Sequence, residues 1–302
     1  MKLVKGLVWL IVIVVVVLGV GFFVHPLYFL NELTYFQEWK TGVESRDVSV
    51  AGIRMHYLVE GPSGGQPVVL VHGLGVRGEE WLALAPYLVR AGYRVYLPDL
   101  PGYGRSQQPA DFSYSIHDEA AMVAGFLDAL GLQRVDLGGW SMGGGIVQHV
   151  AFDHPDRVRK LILFDSVGLT ELPQFDTRLF TPGDADQIFR LETLLSPHPV
   201  RLPGFIARDV LKQSKRNGWV IQRAIASMLT GKDATDSILP QLKMPVLIVW
   251  GSEDRIFPLS QAETMHRLVP QSELDIVPGC GHLAPKECTA QVGPRVVAFE
   301  KE

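Results

Sequence analysis

The sequence predicts an α/β fold in which a mostly parallel central sheet is covered by helices on both faces. Short apolar runs alternate with longer segments of helical periodicity over most of the 302 residues, as is typical of sheets that are buried on both faces. Directly after one of these runs, residues 135–137, a serine lies among small residues at 139–143 (Gly-Trp-Ser-Met-Gly). An aspartate and a histidine follow two later runs. The same alternation therefore predicts both the fold class and a candidate site.

The apolar runs predict the strands of this sheet and the segments between them predict its helices. An opening hairpin is predicted over 47–59, with its turn at Ala51 and Gly52. Further strands are predicted over 68–71, 94–97, 135–137, 161–164, 246–250 and 274–277. Helices are predicted over 79–91 and 115–130, each ended by a glycine, and over 289–300.

The pattern changes between residues 167 and 242, where helical stretches are predicted over 184–195, 202–217 and 219–229 without a strong strand. We therefore divide the chain into a core formed by residues 47–167 and 243–302 and a helical cap formed by residues 168–242. Cap side chains offer apolar surface for a substrate, with packing of the cap onto the core as the alternative for each of them. The candidate substrate-binding residues are Trp140, Phe189, Leu195 and Phe205.

Ser141 is the candidate nucleophile. Glycines on both sides suit a sharp turn from a strand into a helix, where a larger side chain would collide with its neighbours. The backbone N–H of Met142, at the start of that helix, points toward an oxyanion formed on the serine. A second donor is expected from the loop after strand 68–71, and the N–H of Leu74 is the candidate. His72 in the same loop is expected to shape it. A helix-capping role is the alternative for Ser141.

A serine hydroxyl needs a histidine to take its proton and a carboxylate to orient that histidine. His282 lies in a glycine-rich loop after the last predicted strand, and Asp254 follows strand 246–250. Two other acids stay open as alternatives, the adjacent Glu253 and Asp165 after strand 161–164. A structural loop histidine is the alternative for His282. The chain order is Ser, Asp, His.

These separated motifs resemble the α/β-hydrolase superfamily from about residue 47 to the end of the chain. The resemblance implies a serine hydrolase that cleaves carboxylic esters through an acyl-enzyme, without a cofactor. Dehalogenases and epoxide hydrolases of this fold carry aspartate where this chain has Ser141. Together with the apolar N-terminus, the cap segment 196–203 resembles membrane-anchored bacterial lipases and phospholipases and the related monoacylglycerol lipases. It implies a lipid or other small ester as the substrate.

Two other functions stay open. Residues 250–255 and 280–282 also resemble carbon–carbon bond hydrolases of aromatic ring-cleavage products, although Leu283 stands where that family usually has tryptophan. A non-catalytic binding protein on the same fold is the second alternative. No metal site is expected, because the chain has neither a His-Glu-x-x-His nor a Cys-x-x-Cys pattern.

The N-terminus predicts a transmembrane anchor. Residues 7–24 are apolar apart from two glycines, and Lys2 and Lys5 precede them. At ~1.5 Å per residue the stretch could cross a ~30 Å hydrocarbon core. We expect a stub and single-pass anchor over 1–26 and a juxtamembrane amphipathic segment over 27–46. The basic flank places the N-terminus in the cytoplasm and the catalytic domain on the periplasmic side. A cleaved signal peptide and a homodimer through the anchor stay open.

The net charge bears on the binding partners, and the cysteine content bears on possible disulfides. The net charge of −4 argues against binding of nucleic acid, which requires a basic surface. Only two cysteines occur, Cys280 and Cys288, on either side of His282. We expect free thiols, with a disulfide as the alternative in an extracytoplasmic domain.

Overall fold

The structure, a computed structural model, describes residues 18–171 and 174–302. Its centre is an eight-stranded sheet in the order β1-β2-β4-β3-β5-β6-β7-β8. The strands are β1 (Glu44–Val50), β2 (Ile53–Glu60), β3 (Pro67–Val71), β4 (Arg94–Pro98), β5 (Val135–Trp140), β6 (Val158–Phe164), β7 (Val246–Gly251) and β8 (Ser272–Val277). The pairs β1–β2 and β2–β4 are antiparallel and all the others are parallel.

Helices connect the strands and cover the sheet. They are α1 (Pro26–Thr41), α2 (Ala85–Arg90), α3 (Ile116–Ala129), α4 (Met142–Asp153), α5 (Ala185–Leu195), α6 (Gly204–Met228), α7 (Leu259–Leu268), α8 (Ala284–Glu287) and α9 (Thr289–Lys301). Short 3-10 helices occupy Gly78–Ala83, Pro155–Arg157, Thr177–Phe180 and Leu239–Gln241. Residues 18–24 are also helical.

The strands divide their side chains between two buried apolar layers, one on each face of the sheet. Along β3, Val69 and Val71 belong to the layer that α3 and α4 cover, whereas Val68 and Leu70 belong to the opposite layer, which α2 and α9 cover. Successive side chains of a strand point to opposite faces, so a strand buried on both faces is an unbroken apolar run. This is the physical reason why the runs in the sequence predicted the sheet.

One long helix replaces two predicted ones. The stretches predicted over 202–217 and 219–229 form the continuous helix α6. Gly218 does not end it, because the absence of a side chain there lets the helix lie close to Thr181; a Cβ atom at 218 would be 3.2 Å from Thr181 Cγ2. Helices α5 and α6 lie between β6 and β7 in the chain, within the segment predicted as the cap.

The prediction of a transmembrane helix is wrong. Within 18–171 and 174–302, none of the helices combines the length and the apolar character needed to cross a bilayer. Residues 1–17, which hold most of the predicted span, lie outside the described residues. The single-pass topology and the periplasmic location were derived from that helix and are wrong as well. A homodimer through the anchor is not shown.

Instead, the first described helices lie against the rest of the chain. The rings of Phe22 and Phe23 pack on Phe205 of α6, with centroids 5.6 and 5.0 Å away. Further along, the Leu27 N–H donates to Asp209 of α6 (3.1 Å). Glu38 near the end of α1 is buried and accepts hydrogen bonds of 2.9 Å from Arg105. These polar contacts hold α1 against the cap and the core.

Candidate active site

Ser141 lies at the sharp turn between β5 and α4. Its backbone has φ 55° and ψ −119°, a region that non-glycine residues rarely occupy and that strained functional turns often use. The turn requires glycines nearby: a Cβ at Gly139 would collide with the Gly143 carbonyl, and a Cβ at Gly143 would collide with that of Val71. The local sequence thus holds the hydroxyl at the carboxyl edge of the sheet, at the start of a helix.

The structure brings Ser141, His282 and Asp254 together in one hydrogen-bonded chain. Nδ1 of His282 lies 2.8 Å from Asp254 Oδ2, and Nε2 lies 2.9 Å from Ser141 Oγ. Because a carboxylate can only accept, the proton is on Nδ1, and Nε2 is left to accept from the serine. All three residues are buried. This is the arrangement in which an imidazole can take the proton of an attacking hydroxyl.

Asp254 is fixed by its own loop. Its Oδ1 accepts hydrogen bonds from the backbone N–H groups of Ile256 (2.7 Å) and Phe257 (3.0 Å), which leaves Oδ2 for the histidine. These two bonds hold the carboxylate in one orientation toward His282.

Asp165, the alternative acid, also lies at this edge of the sheet but has a different partner. Its Oδ1 accepts the Gly251 N–H at 2.8 Å, and its φ is 42°. Burial, reinforced by the neighbouring Asp254 carboxylate, raises the pKa of Asp165 well above the usual range of aspartate. The geometry therefore favours Asp254 as the acid that orients His282, and the catalytic roles of the three residues remain predictions.

The two residues whose backbone N–H groups are the predicted oxyanion donors lie beside the same cavity. Leu74 and Met142 both line the cavity at Ser141, and within the described chain neither N–H donates to another residue. His72 holds the Leu74 loop: its Nδ1 donates to the Gly73 carbonyl (2.8 Å) and its Nε2 accepts the Leu100 N–H (3.0 Å). Burial lowers the pKa of His72, so it remains neutral and links two loops.

His282 is supported from two sides. Trp140, the residue before Ser141, donates from Nε1 to the His282 carbonyl oxygen (2.8 Å). Cys280 and Cys288 form a disulfide across the loop that carries the histidine. The expectation of free thiols was wrong, because the turn into α8 and α9 brings Cys288 back beside Cys280. Sparse cysteines gave no framework from which this pairing could be predicted.

An apolar cavity opens at Ser141, with an empty volume of about 890 Å³ that includes space open to solvent. Its walls come from the loops after β3 and β6, from the start of α4, from the end of α6 and from the loop after β7. The apolar side chains that line it are Leu74, Ile116, Met142, Val167, Leu169, Phe175, Phe180, Ile225, Met228, Leu229, Ala234, Ile256 and Phe257. The charged residues among the described part of the lining are Glu171 and Asp233, both acidic.

The four predicted substrate-binding residues do not line this cavity. Trp140 is turned toward the His282 backbone, and Phe189 lies under the guanidinium of Arg201. Leu195 packs on the core next to Gly281, and Phe205 packs on Phe22 and Phe23. Those predictions relied on apolar character alone, which does not distinguish a cavity wall from a packed interface.

The cap residues that do line the cavity were missed. Phe175 and Phe180 lie in or beside the 3-10 helix Thr177–Phe180, and Ile225, Met228 and Leu229 form one face of the last turns of α6. The spacing of three and four residues at the end of α6 was a usable signal, since such residues share a helix face. We did not use this spacing, because we did not expect the end of the helix to reach Ser141.

Comparison with known proteins agrees with this architecture. The family described as the alpha/beta hydrolase fold matches residues 66–193 and 209–287. The 2-hydroxy-6-oxo-2,4-heptadienoate hydrolase of Pseudomonas putida is 33% identical over 240 residues, which cover 72% of this chain and 83% of that protein. Lipase 1 of Psychrobacter immobilis is 24% identical over 283 residues, covering 89% and 88% of the two chains.

Among solved structures, a membrane phospholipase A described as a bacterial virulence factor superposes with a TM-score of 0.84 at 27% identity. The superposition covers 100% of this chain and 98% of the phospholipase chain. A lipase, a phospholipase and a dienoate hydrolase are thus similar to this chain over most of its length. The match over more than half of the sequence, together with the geometry around Ser141, shows that the chain belongs to the alpha/beta hydrolase fold family.

Proposed function

We propose that this hydrolase cleaves uncharged carboxylic esters with an apolar acyl chain, acyl glycerol lipids among them. The observation that carries the proposal is the position of Ser141: its hydroxyl is hydrogen-bonded to His282 and faces an apolar cavity. Apolar walls bind an acyl chain by removing it from water, at about 25 cal/mol for each Å² buried. The lipase and phospholipase among the similar proteins support an acyl substrate.

In the proposed reaction, Ser141 Oγ attacks the ester carbonyl carbon while His282 Nε2 takes the serine proton. The negative charge on the carbonyl oxygen is held by the N–H groups of Leu74 and Met142, each worth ~3 kcal/mol of barrier by comparison with known oxyanion donors. His282 then gives its proton to the departing alcohol. Water hydrolyses the acyl-enzyme by the same steps, and Asp254 stabilises the imidazolium throughout.

Carbon–carbon hydrolysis of ring-cleavage products is the second candidate, and the Pseudomonas putida relative supports it. The substrate in that relative's name is a dienoate and therefore carries a carboxylate. In this chain the described lining contains two acidic side chains, Glu171 and Asp233, and no lysine or arginine. A buried carboxylate needs a cationic or hydrogen-bonding partner, so the charge of the cavity favours a neutral ester.

The test is hydrolysis of a p-nitrophenyl ester series from C2 to C16, followed by monoacylglycerols and a 2-hydroxy-6-oxo-dienoate. We expect turnover of medium-chain esters, a drop of roughly 10⁶-fold in kcat for Ser141→Ala, and no turnover of the dienoate. Dienoate cleavage without ester cleavage would establish the second candidate. No turnover of either class by folded protein would favour a binding role.

The cavity itself can be tested with a pair of variants on α6. Ile225→Trp places a large ring in the lining and should shift the preferred ester to a shorter acyl chain. The matched control is Ala226→Trp, which puts the same ring one residue further on, at an exposed position outside the lining. The measurement is kcat/KM against chain length. The same profile for Ile225→Trp and wild type would show that the acyl chain binds elsewhere.

A further inference from the structure

Away from Ser141, three side chains on two neighbouring helices converge on one point. His117 is the second residue of α3, and His149 and Asp153 lie one turn apart on α4. A ring nitrogen of each histidine and a carboxylate oxygen of the aspartate all lie within 4.8 Å of one another. His117 and Asp153 are exposed and His149 is partly buried, so solvent reaches the cluster.

The donor atoms of this cluster are otherwise unused. Within the described chain, no hydrogen bond or ion pair involves the ring of His117 or the carboxylate of Asp153. Nε2 of His149 lies 3.0 Å from the backbone carbonyl oxygen of Asp233. Because a carbonyl can only accept, Nε2 carries the proton of His149, and the lone pair stays on Nδ1. Metal-binding histidines usually have their second ring nitrogen held in this way.

We propose that His117, His149 and Asp153 bind a divalent transition-metal ion of the Zn²⁺ class. Two imidazole nitrogens and one carboxylate oxygen form a donor set that suits such an ion better than Mg²⁺ or Ca²⁺, which prefer oxygen ligands. At bond lengths of about 2.0–2.2 Å, a tetrahedral ion holds its ligands about 3.3–3.6 Å apart. The side chains therefore move toward one another by about an ångström, which exposed side chains can do by small rotations.

Sequence motifs do not reveal this site, because its ligands come from two helices. His149 and Asp153 are four residues apart and thus share one face of α4, and only the packing of α3 against α4 adds His117. The site is separate from the proposed reaction: it lies near the far end of the helix that begins at Ser141. We expect a bound ion to stabilise the protein. A bound ion would join α3 to α4, and His149 already contacts the loop whose Asp233 lines the cavity.

The test is titration of ZnCl₂ into the full chain without a histidine tag, after treatment with EDTA and its removal, by isothermal titration calorimetry. We expect saturable 1:1 binding that weakens at least about 10-fold in His117→Ala, which loses a ligand, and in Asp153→Asn, which replaces the charged carboxylate by a weaker neutral amide donor. His198→Ala removes an exposed histidine outside the cluster and should bind as wild type does. Zn²⁺ should also raise the Tm of the wild type but not of His117→Ala.

His149→Ala also loses the contact to Asp233, so the other two ligand variants carry the test, with Tm in EDTA as the check that they fold. Equal Zn²⁺ affinity in wild type, His117→Ala and Asp153→Asn would overturn the proposal, as would the absence of saturable binding. In EDTA, His117→Ala should hydrolyse p-nitrophenyl esters as fast as the wild type. This result would distinguish the metal site from the proposed catalytic one.

Discussion

Nε1 of Trp140 donates a 2.8 Å hydrogen bond to the carbonyl oxygen of His282. The residue before the proposed nucleophile therefore holds the backbone of the proposed base, across 142 positions of sequence. The indole ring is buried between Trp81 and the histidine ring. We expected Trp140 to contact the substrate, but it joins the segment that carries Ser141 to the segment that carries His282.

Trp140→Phe should lower kcat beyond what the loss of one buried hydrogen bond elsewhere in the protein would cause. The variant keeps an aromatic ring but leaves the buried His282 carbonyl without its donor, at a cost of about 1–3 kcal/mol. A displaced imidazole should lower kcat about 10- to 100-fold. Tyr93→Phe is the matched control, because it also removes a buried side-chain donor from a carbonyl, that of Glu300, far from Ser141. Equal kcat in the two variants would contradict the positioning role of Trp140.

Asp254→Asn should lower kcat strongly, whereas Asp165→Asn should change it little. Asparagine at 254 removes the charge that stabilises the imidazolium and should lower kcat about 10⁴-fold, as in other triads. Burial and the neighbouring Asp254 carboxylate raise the pKa of Asp165, which favours the neutral carboxyl group that asparagine resembles. Asparagine at 165 should therefore leave kcat within about 3-fold of the wild type. Steady-state kinetics at pH 7 on a p-nitrophenyl ester measures both, and a large loss in Asp165→Asn alone would reverse the assignment.

Reduction of the Cys280–Cys288 disulfide should destabilise the protein by about 2.6 kcal/mol, the chain-entropy value for a loop of this length. The two cysteines are eight residues apart, and the short loop that they close contains His282. We expect a lower urea midpoint in a phosphine reductant, and the same midpoint for Cys280→Ser/Cys288→Ser with or without reductant. If wild type and the double variant unfold at the same midpoint under oxidising conditions, the bridge contributes nothing to stability.

Glu119 should make stability depend on pH. This α3 residue is buried, and neither of its carboxylate oxygens has a hydrogen-bond partner within the described chain. Burial, with a further contribution from Asp118, raises its pKa well above the usual 4.5. The folded state thus binds a proton that the unfolded state releases, so stability is complete below the unfolded pKa and is lost as the pH rises toward the folded one.

Within that window the loss should be about 1.4 kcal/mol for each pH unit. Glu119→Gln cannot ionise and should show a flatter dependence. Urea unfolding of both proteins between pH 5 and 8 gives the slope of the free energy of unfolding against pH. A general loss of packing would lower this free energy without changing the slope. Parallel slopes in the two proteins would show that Glu119 does not carry the effect.

Much of the site could be predicted because its parts are local. Ser141, Asp254 and His282 each lie in a turn after an apolar run, and the carboxyl ends of parallel strands meet at one edge of a sheet. Gly139 is required by the nearby carbonyl of Gly143, whereas Gly143 is required by the carbonyl of Val71 at the end of the neighbouring strand β3. By contrast, the residues of the cavity wall, the site of metal binding and the disulfide each depend on which distant elements pack together.

The alternation of strands and helices, the order of the motifs and the small residues at the turn are evident without a structure, since periodicity and residue type are properties of the sequence. The tertiary structure shows in addition that Asp254 is hydrogen-bonded to His282, whereas Asp165, which follows the neighbouring strand, accepts the Gly251 N–H. The fold also places Phe22 and Phe23, where hydropathy had predicted part of a transmembrane span, against Phe205 of the cap. Contacts between distant segments carry no periodic signal, so they become visible only when the chain is folded.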